Sequence, residues 1–277
     1  MDKPLTLITI DGIRFLKFPE LEERGLTHLF TTRDWDMGIT TNLERHGNLD
    51  KVADRYGKLR DYLDAGDMPF YFMWQEHTAT VVQVPPDASV PVDSYPFAER
   101  VQHVDGLWTE TGSVLVSTFA DCVPVLLFDP VKRRQANLHS GWRGTAAGIV
   151  GEGIRQLVAA GSAARDIIVA LGPHIRDDEF FVREDAVAIF RERYPECFPE
   201  GRDSAWYRRV SDEHYTINLA AVIHKTATDL GIRDDHFWVG DRSTVKETDL
   251  LHSWRRDGRA FGLMTVASRI AGKGDGA

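Results

Sequence analysis

Short apolar runs, set apart by glycine, proline and acidic turns, dominate the chain, and their lengths predict strands more often than helices. Residues 5–10 and 13–18 flank Asp11-Gly12, a strong two-residue hairpin signal, and predict an edge hairpin. Residues 28–32 read as a strand leading to Arg33, and the polar segment 34–42, with Gly38, reads as a loop that is either a lid or a plain connection. From Asp50, a good N-cap, Val52, Tyr56, Leu59 and Leu63 recur at helical spacing as far as Gly66, so an amphipathic helix with that stripe in the core is expected. Residues 70–74 and 78–84 are β-rich runs interrupted by Gln75-Glu76-His77, a polar triplet that is either a turn or a site. Prolines and acids mark 85–96 as a loop, and 104–108 then leads into the most regular part of the pattern.

That part is the stretch 114–145. Two runs rich in Val, Leu and Phe, 114–119 and 123–128, are short enough to be buried strands, which puts Cys122 at their junction. Asp129-Pro130 and the charged Lys132, Arg133 and Arg134 read as a turn, and 135–139 as a third strand ending on His139. Gly141 and Gly144 give a tight, low-bulk corner before Ala146, Ala147, Ile149, Val150, Ile154, Leu157 and Val158, a helical pattern over 144–160 whose first N–H groups face the space in front of the strands. A strand at 167–171 and a second corner at Gly172-Pro173-His174 follow. Helices are expected at 184–193 and at 219–230, the latter with Gly231 as its C′ residue. Closing strands are expected at 236–239 and 260–267, and a frayed tail at 273–277. The alternation of strand and helix, with loops collecting at strand ends, is that of an α/β enzyme, and a single domain over 1–277 is the simplest description.

Composition narrows the class. At 277 residues, 43% hydrophobic and 27% charged, the chain can bury a large core and is neither fibrous nor disordered. The formal charge of −9 and the absence of a basic block longer than residues 132–134 argue against a nucleic-acid surface, so an anionic substrate would have to rely on local arginines. Two cysteines are too few for a disulfide framework and suit a reducing compartment. No window approaches eighteen uninterrupted apolar residues, so no membrane span is expected and a cytoplasmic protein is.

His77, Cys122 and His139, at spacings of 45 and 17 residues, are the side chains to bring together. Two imidazoles and one thiolate are the donor set of a catalytic zinc site that keeps its fourth position open. The spacing matches no finger motif, and three other readings stand beside it: a buried Cys122 acting only as a small hydrophobe, a Cys-His nucleophile pair without metal, and a structural metal in a non-catalytic protein. Structural zinc would need a fourth ligand, and Cys197 lies far along the chain in a Tyr-Pro-Glu-Cys-Phe-Pro turn.

The segments FADCVPVLLFD, NLHSGWRGTAAGIV and ALGPHI closely resemble the TADCxPVLLxD, HAGWRGxxxGI and LGPxI segments of the laccase-like multicopper polyphenol oxidase family. That family also includes metal-dependent purine nucleoside phosphorylases and a peptidoglycan editing factor. QEHTATVVQV, VDGLW and SWRRDGRAFGLM are further matches, and the resemblance runs from Arg33 through most of the chain. It implies a mixed α/β fold, a layered α/β/β/α sandwich of two mixed sheets with outer helices. It also implies His77, Cys122 and His139 as the ligands of zinc, with copper as the alternative ion. Departures lie elsewhere: TTRDWDMGIT stands for a TxRxGGxS loop, Arg176-Asp177-Asp178 replaces cysteines after LGPxI, and Ser243-Thr244 replaces a Cys-Thr pair.

The activity so implied is phosphorolysis of adenosine or inosine, with adenosine deamination at the same site. Arg143, with the N–H groups of Gly144 and Thr145, is the candidate phosphate holder, and Arg33 a second; the alternative for each arginine is a solvated surface. Asp121 would orient a ligand, act as general base or cap a strand end, and His174 and Asn42 are further substrate-side candidates. A metal-dependent amidohydrolase editing cell-wall precursors is the rival from the same resemblance. Four-copper phenol oxidation is not expected, because none of the ten histidines is two positions from another, whereas a trinuclear cluster needs His-x-His pairs; polyphenol oxidation at a single copper site stays as an alternative, at most a side activity. The expected partners are small molecules, with no nucleic acid and no membrane, in a monomer or homodimer.

Overall fold

In a computed structural model, which describes residues 2–272, the alternation of side chains along the central strands decides how the layers stack. The central sheet has seven strands in the order Asp2–Lys3, Phe237–Gly240, Ile168–Leu171, Val123–Asp129, Arg134–Ser140, Gly106–Thr109 and Val81–Gln83. Val125, Leu127, Val169 and Leu171 point to one face, where they pack under the helices Ile149–Ala159 and Leu219–Asp229 through Ile154, Leu157, Val222 and Ile223. Their neighbours Leu126, Phe128, Ile168 and Ala170 point to the other face and meet Leu16, Phe30, Met264 and Val266 of a second sheet.

That second sheet has eight strands, in the order Thr6–Ile10, Ile13–Lys17, Leu26–Thr31, Met264–Ile270, Val114–Phe119, Phe70–Met73, Ala98–Val101 and Val92–Tyr95. On its far side Phe15, Leu29, Phe70, Phe72, Val114 and Val116 are covered by Val52, Tyr56 and Leu59 of the helix Asp50–Tyr62 and by Leu63, which caps its end. The four layers are therefore helix, sheet, sheet, helix, as the resemblance implied. Both sheets are mixed: the pair of Phe70–Met73 with Val114–Phe119 is parallel, and that of Val114–Phe119 with Met264–Ile270 antiparallel.

The parallel pair positions the site. Residues 74–80 carry the chain from Met73 in the second sheet to Val81 in the central one, and 120–122 carry it from Phe119 to Val123. Because the two departing strands are parallel and in register from Val114 opposite Phe70, both crossovers leave at the same end of the sandwich. One holds His77 and the other Cys122. His139 lies beside them because Arg134–Ser140 runs antiparallel to Val123–Asp129, with His139 opposite Pro124.

Several local expectations give way to tertiary context. The segment 34–42 is a loop only to Gly38, after which a helix, Ile39–His46, begins; Asn42 donates to the carbonyls of Gly38 and Asp36 and so ties its first turn. Asp50 is the first residue of its helix rather than its cap, and Asn48 Oδ1 accepts its N–H. The 85–96 loop contains a strand, Val92–Tyr95, which forms a hairpin with Ala98–Val101. The helix expected over 144–160 begins at Trp142 and is broken at Gly148, whose φ of 83° ends Trp142–Ala147 before Ile149–Ala159 starts. The closing strand sits later, at Met264–Ile270, since Gly258–Ala260 forms a turn of 3₁₀ helix. A small antiparallel sheet of Phe181–Val182, Tyr215–Ile217 and Tyr207–Arg209 had no clear alternation to announce it. The tail at 273–277 lies outside the described residues.

One polar group is locked into the inter-sheet core. His28 is fully buried, its Nε2 accepts the Phe18 N–H at 2.9 Å, and Nδ1 therefore donates to the Leu26 carbonyl at 3.0 Å. Burial lowers its pKa to about 4 from an ordinary value of 6.5. Between those two values the unfolded chain binds a proton that the folded chain refuses, so stability falls as pH falls through that window. Replacing His28 by Gln should accordingly cost more at pH 7 than at pH 4, with a difference of up to about 3 kcal/mol in urea unfolding. A cost independent of pH would show that His28 does not carry this linkage.

Candidate metal centre

The three side chains singled out from the sequence converge. One donor atom from each of His77, Cys122 and His139 lies within 4.8 Å of the others, Cys122 Sγ is 3.8 Å from His77 Nε2, and the imidazole centroids are 4.9 Å apart at 79°. Among the described residues this is the one grouping of His, Cys, Asp and Glu that could hold an ion. The burial is graded: His139 is buried, Cys122 half-buried and His77 exposed, so the group opens to one side.

Asp105 builds the site, and neither the hydrophobic pattern nor the motif comparison singled it out. Its carboxylate is fully buried, and Oδ1 accepts the His77 N–H at 3.0 Å and His139 Nδ1–H at 2.9 Å. Its Oδ2 accepts the N–H groups of Glu76 and Thr78, at 3.1 and 2.7 Å, and the Thr78 hydroxyl at 2.8 Å. Because a carboxylate only accepts, His139 carries its proton on Nδ1 and presents Nε2 to the group. The same oxygens hold the 76–78 corner in shape, including His77 at a left-handed φ of 62°. Burial opposes the charge on Asp105, yet these donors, His139 first, hold its pKa below the usual carboxylate value. The signal in the sequence was a lone acid, Val104-Asp105-Gly106-Leu107, at the mouth of an apolar run.

Electrostatics favours the sulfur as an anion. Burial works against a Cys122 thiolate, but the charge and hydrogen bond of His139, with help from His77, pull its pKa down to about 6. His139 responds in kind: against burial, Cys122 and Asp105 raise it to about 9. A thiolate is the form of cysteine that ligates metals. Gly141 supplies the room, for a Cβ there would lie 2.6 Å from His77 Cδ2 and 3.0 Å from Cys122 Sγ. Its φ of −67° is ordinary, so the demand is for absence of bulk. Two imidazoles and a low-pKa thiol, with the histidine tautomer fixed by a carboxylate, fit a transition-metal ion such as zinc.

In front of the group opens a cavity of about 540 Å³, within the range of small-molecule sites. His77, Cys122 and His139 line it together with the aromatic rings of Phe119, Trp142, Phe180, Trp254 and Phe261. Arg143 and Arg255 are its cationic groups. Arg143 is exposed, stands 4.3 Å over the Trp142 ring, and has no carboxylate partner among the described residues. Asp121 is on the wall, but both its oxygens are engaged: Oδ1 accepts the Thr244 hydroxyl and Oδ2 the Arg255 N–H, each at 2.6 Å.

The other candidates lie elsewhere. Gly144 is not on the cavity wall; it packs where a Cβ would come 2.8 Å from the Thr78 carbonyl, and the Thr145 N–H is spent on the Gly141 carbonyl. Arg33 is exposed outside the cavity and donates to the Thr248 carbonyl. Asn42 is buried in the turn described above. His174 is buried, bonds through Nδ1 to the Gly172 carbonyl, and lines a different cavity of about 230 Å³. Cys197 is part of the core beneath the helices and belongs to no donor group among the described residues. Trp254 and Arg255 were missed as site residues because their segment, the helix Trp254–Asp257, is polar and four residues long.

Comparison with known proteins places the fold in a family. Residues 27–270 match the family model described as multi-copper polyphenol oxidoreductase laccase. The chain is 34% identical over 174 residues to a protein named purine nucleoside phosphorylase YlmD from Geobacillus stearothermophilus, which is 61% of this chain and 60% of that one. The likeness to a YlmD of the same name from Bacillus subtilis, 30% identical, spans 56% of that protein, so both alignments cover less than two thirds of these relatives. A purine nucleoside phosphorylase from Deinococcus radiodurans is 29% identical over 265 residues, 93% of each chain. The crystal structure of YlmD from Geobacillus stearothermophilus superposes with a TM-score of 0.80 at 25% identity, covering 97% of this chain and 100% of that one.

If Asp105 orients the donors as its hydrogen bonds indicate, Asp105→Asn places an amide N–H against groups that need an acceptor. The variant should bind zinc about 10- to 100-fold more weakly in a chelator competition. Unchanged affinity would mean that the carboxylate supports the fold alone.

Proposed function

This chain belongs to the multi-copper polyphenol oxidoreductase laccase family, and from that premise we propose that it is a zinc-dependent purine nucleoside phosphorylase acting on adenosine and inosine, with adenosine deamination as a second activity of the same site. The observation that carries the proposal is the pairing of one three-donor metal group with an aromatic-walled cavity that has an unpaired arginine, Arg143, on its wall. Relatives named purine nucleoside phosphorylase support the substrate class. Three donors make a single-ion site, which suits this chemistry and not a four-copper relay.

In phosphorolysis a phosphate oxygen forms a bond to C1′ of the sugar as the C1′–N9 bond breaks, and the purine leaves with a proton on a ring nitrogen. The product is a pentose 1-phosphate. Arg143 meets the phosphate, its guanidinium held over the Trp142 ring and uncompensated by any acid. The aromatic walls offer faces to the purine and keep water from the electron-poor sugar carbon, so that phosphate rather than hydroxide adds there. Asp105 and Gly141 hold His77, Cys122 and His139 in place through the turnover. An ion in that donor set would supply positive charge to polarise a bound oxygen.

Purified protein with its metal content measured should release hypoxanthine from inosine, and adenine from adenosine, only when phosphate is present. Chelation should abolish the release, added zinc should restore it, and His139→Ala should lower kcat/KM by about 100-fold or more. Stoichiometric metal with no base released from either nucleoside would remove the proposal.

A further inference from the structure

Besides Arg143, the cavity holds a second cation whose guanidinium has no carboxylate partner among the described residues. Arg255 lines the wall and is half-buried, with its guanidinium 5.5 Å from the centroid of Phe180, another lining residue. It donates to two backbone carbonyls, those of Glu179 at 3.4 Å and Phe181 at 3.1 Å, and no carboxylate forms an ion pair with it among the described residues. A guanidinium has five N–H donors, so these two bonds leave three unused. Neutral carbonyls orient such a group without cancelling its charge. In a chain of net charge −9, most arginines near an acid pair with it, as Arg14 does with Asp34 and Arg100 with Asp93.

The segment bearing Arg255 is also fixed relative to the metal-ligand candidates. The Arg255 backbone N–H donates to Asp121 Oδ2 at 2.6 Å, and Asp121 immediately precedes Cys122 with a left-handed φ of 96°. The other oxygen of Asp121 accepts the Thr244 hydroxyl. One carboxylate thereby ties the segment 244–255 to the crossover that carries the sulfur. The tie runs through the backbone of Arg255, so its side chain is free to serve a different purpose.

We propose that Arg255 is an anion-binding residue of this cavity and that its ligand is the orthophosphate co-substrate, held together with Arg143. The assignment rests on the phosphorolysis reading for the identity of the ligand, and on the geometry alone for the site. Two planar forks in one cavity suit a tetrahedral dianion, whose oxygens outnumber what one guanidinium can satisfy.

The test titrates metal-loaded protein with orthophosphate by calorimetry, and in parallel with a nucleoside 5′-monophosphate. Arg255→Gln keeps the backbone tie to Asp121 and should raise the orthophosphate dissociation constant about tenfold, with metal content unchanged. Arg255→Lys should recover part of that loss, and in turnover the KM for phosphate should rise while the KM for inosine stays put. If the Gln variant does not fold, the Lys variant alone should still show weakened orthophosphate binding, because a point charge cannot reproduce the fork. Unchanged orthophosphate affinity in the folded variants overturns the proposal, as does loss confined to the nucleotide or a wild-type protein that binds no orthophosphate. A wild-type protein that binds orthophosphate through Arg255 yet releases no base sinks the phosphorolysis reading and leaves the anion site standing.

Discussion

A single buried carboxylate holds the functional end of this molecule together. Asp105 accepts hydrogen bonds from the backbone of residues 76–78 and from the ring of His139, and it does so without exposure to water. An isolated charge in that position would be prohibitive, and its retention depends on every donor being present. The constraint runs in both directions. The donors keep Asp105 ionised, and Asp105 in turn fixes a left-handed corner at His77 and the tautomer of His139. The two imidazoles, 62 residues apart at 77 and 139, thus share a common support in the chain just before a central strand.

Topology explains why so few residues suffice. The sandwich is crossed where parallel neighbours leave one sheet for the other, and parallel strands must leave at the same end. Each crossover is short and exposes backbone that the sheets cannot satisfy, so it needs local partners: Asp105 for 76–78, and Asp121 with its bonds to Thr244 and Arg255 for the corner before Cys122. Polar groups gather at the crossovers for that reason, and a reactive thiol placed there meets imidazoles in place of the apolar interior. Cys197 makes the contrast within the same chain. Burial beneath the helices and the neighbouring Glu196 push its pKa up to about 11, against the pull of Lys225, while Cys122 is drawn down to about 6.

What could be read from the sequence follows the same division. The long apolar runs at 114–119, 123–128 and 167–171 became strands within a residue or two, because burial on both faces leaves an unbroken hydrophobic signature. The helices Glu184–Arg193 and Leu219–Asp229 kept their expected starts, each carrying a clear apolar stripe. The hairpin Val92–Tyr95 with Ala98–Val101 stayed hidden because an edge pair with half-exposed residues shows little alternation. The His77, Cys122, His139 group was visible through the motifs around it. Its support was not, for Asp105 works by hydrogen bonds to backbone atoms, and backbone N–H groups leave no trace in side-chain identity. Gly144 and Arg33 show the converse limit: a residue type suited to phosphate says nothing about which way the chain turns, and Gly144 packs on Thr78 while Arg33 lies outside the cavity.

The charge distribution then separates binding from chemistry. The chain carries nine more acids than bases, and many of its arginines are tied to acids, so its overall field repels an anion. In the cavity, by contrast, Arg143 and Arg255 each stand over an aromatic ring, Trp142 and Phe180, and among the described residues neither guanidinium forms an ion pair with a carboxylate. An aromatic face orients a guanidinium while leaving its N–H edge free, which a carboxylate would not do. The rings that would stack a purine are thus also the rings that aim the cations. On the proposed reading an anion would meet that wall, set apart from the His77, Cys122, His139 group, whose sulfur is suited to hold a cation.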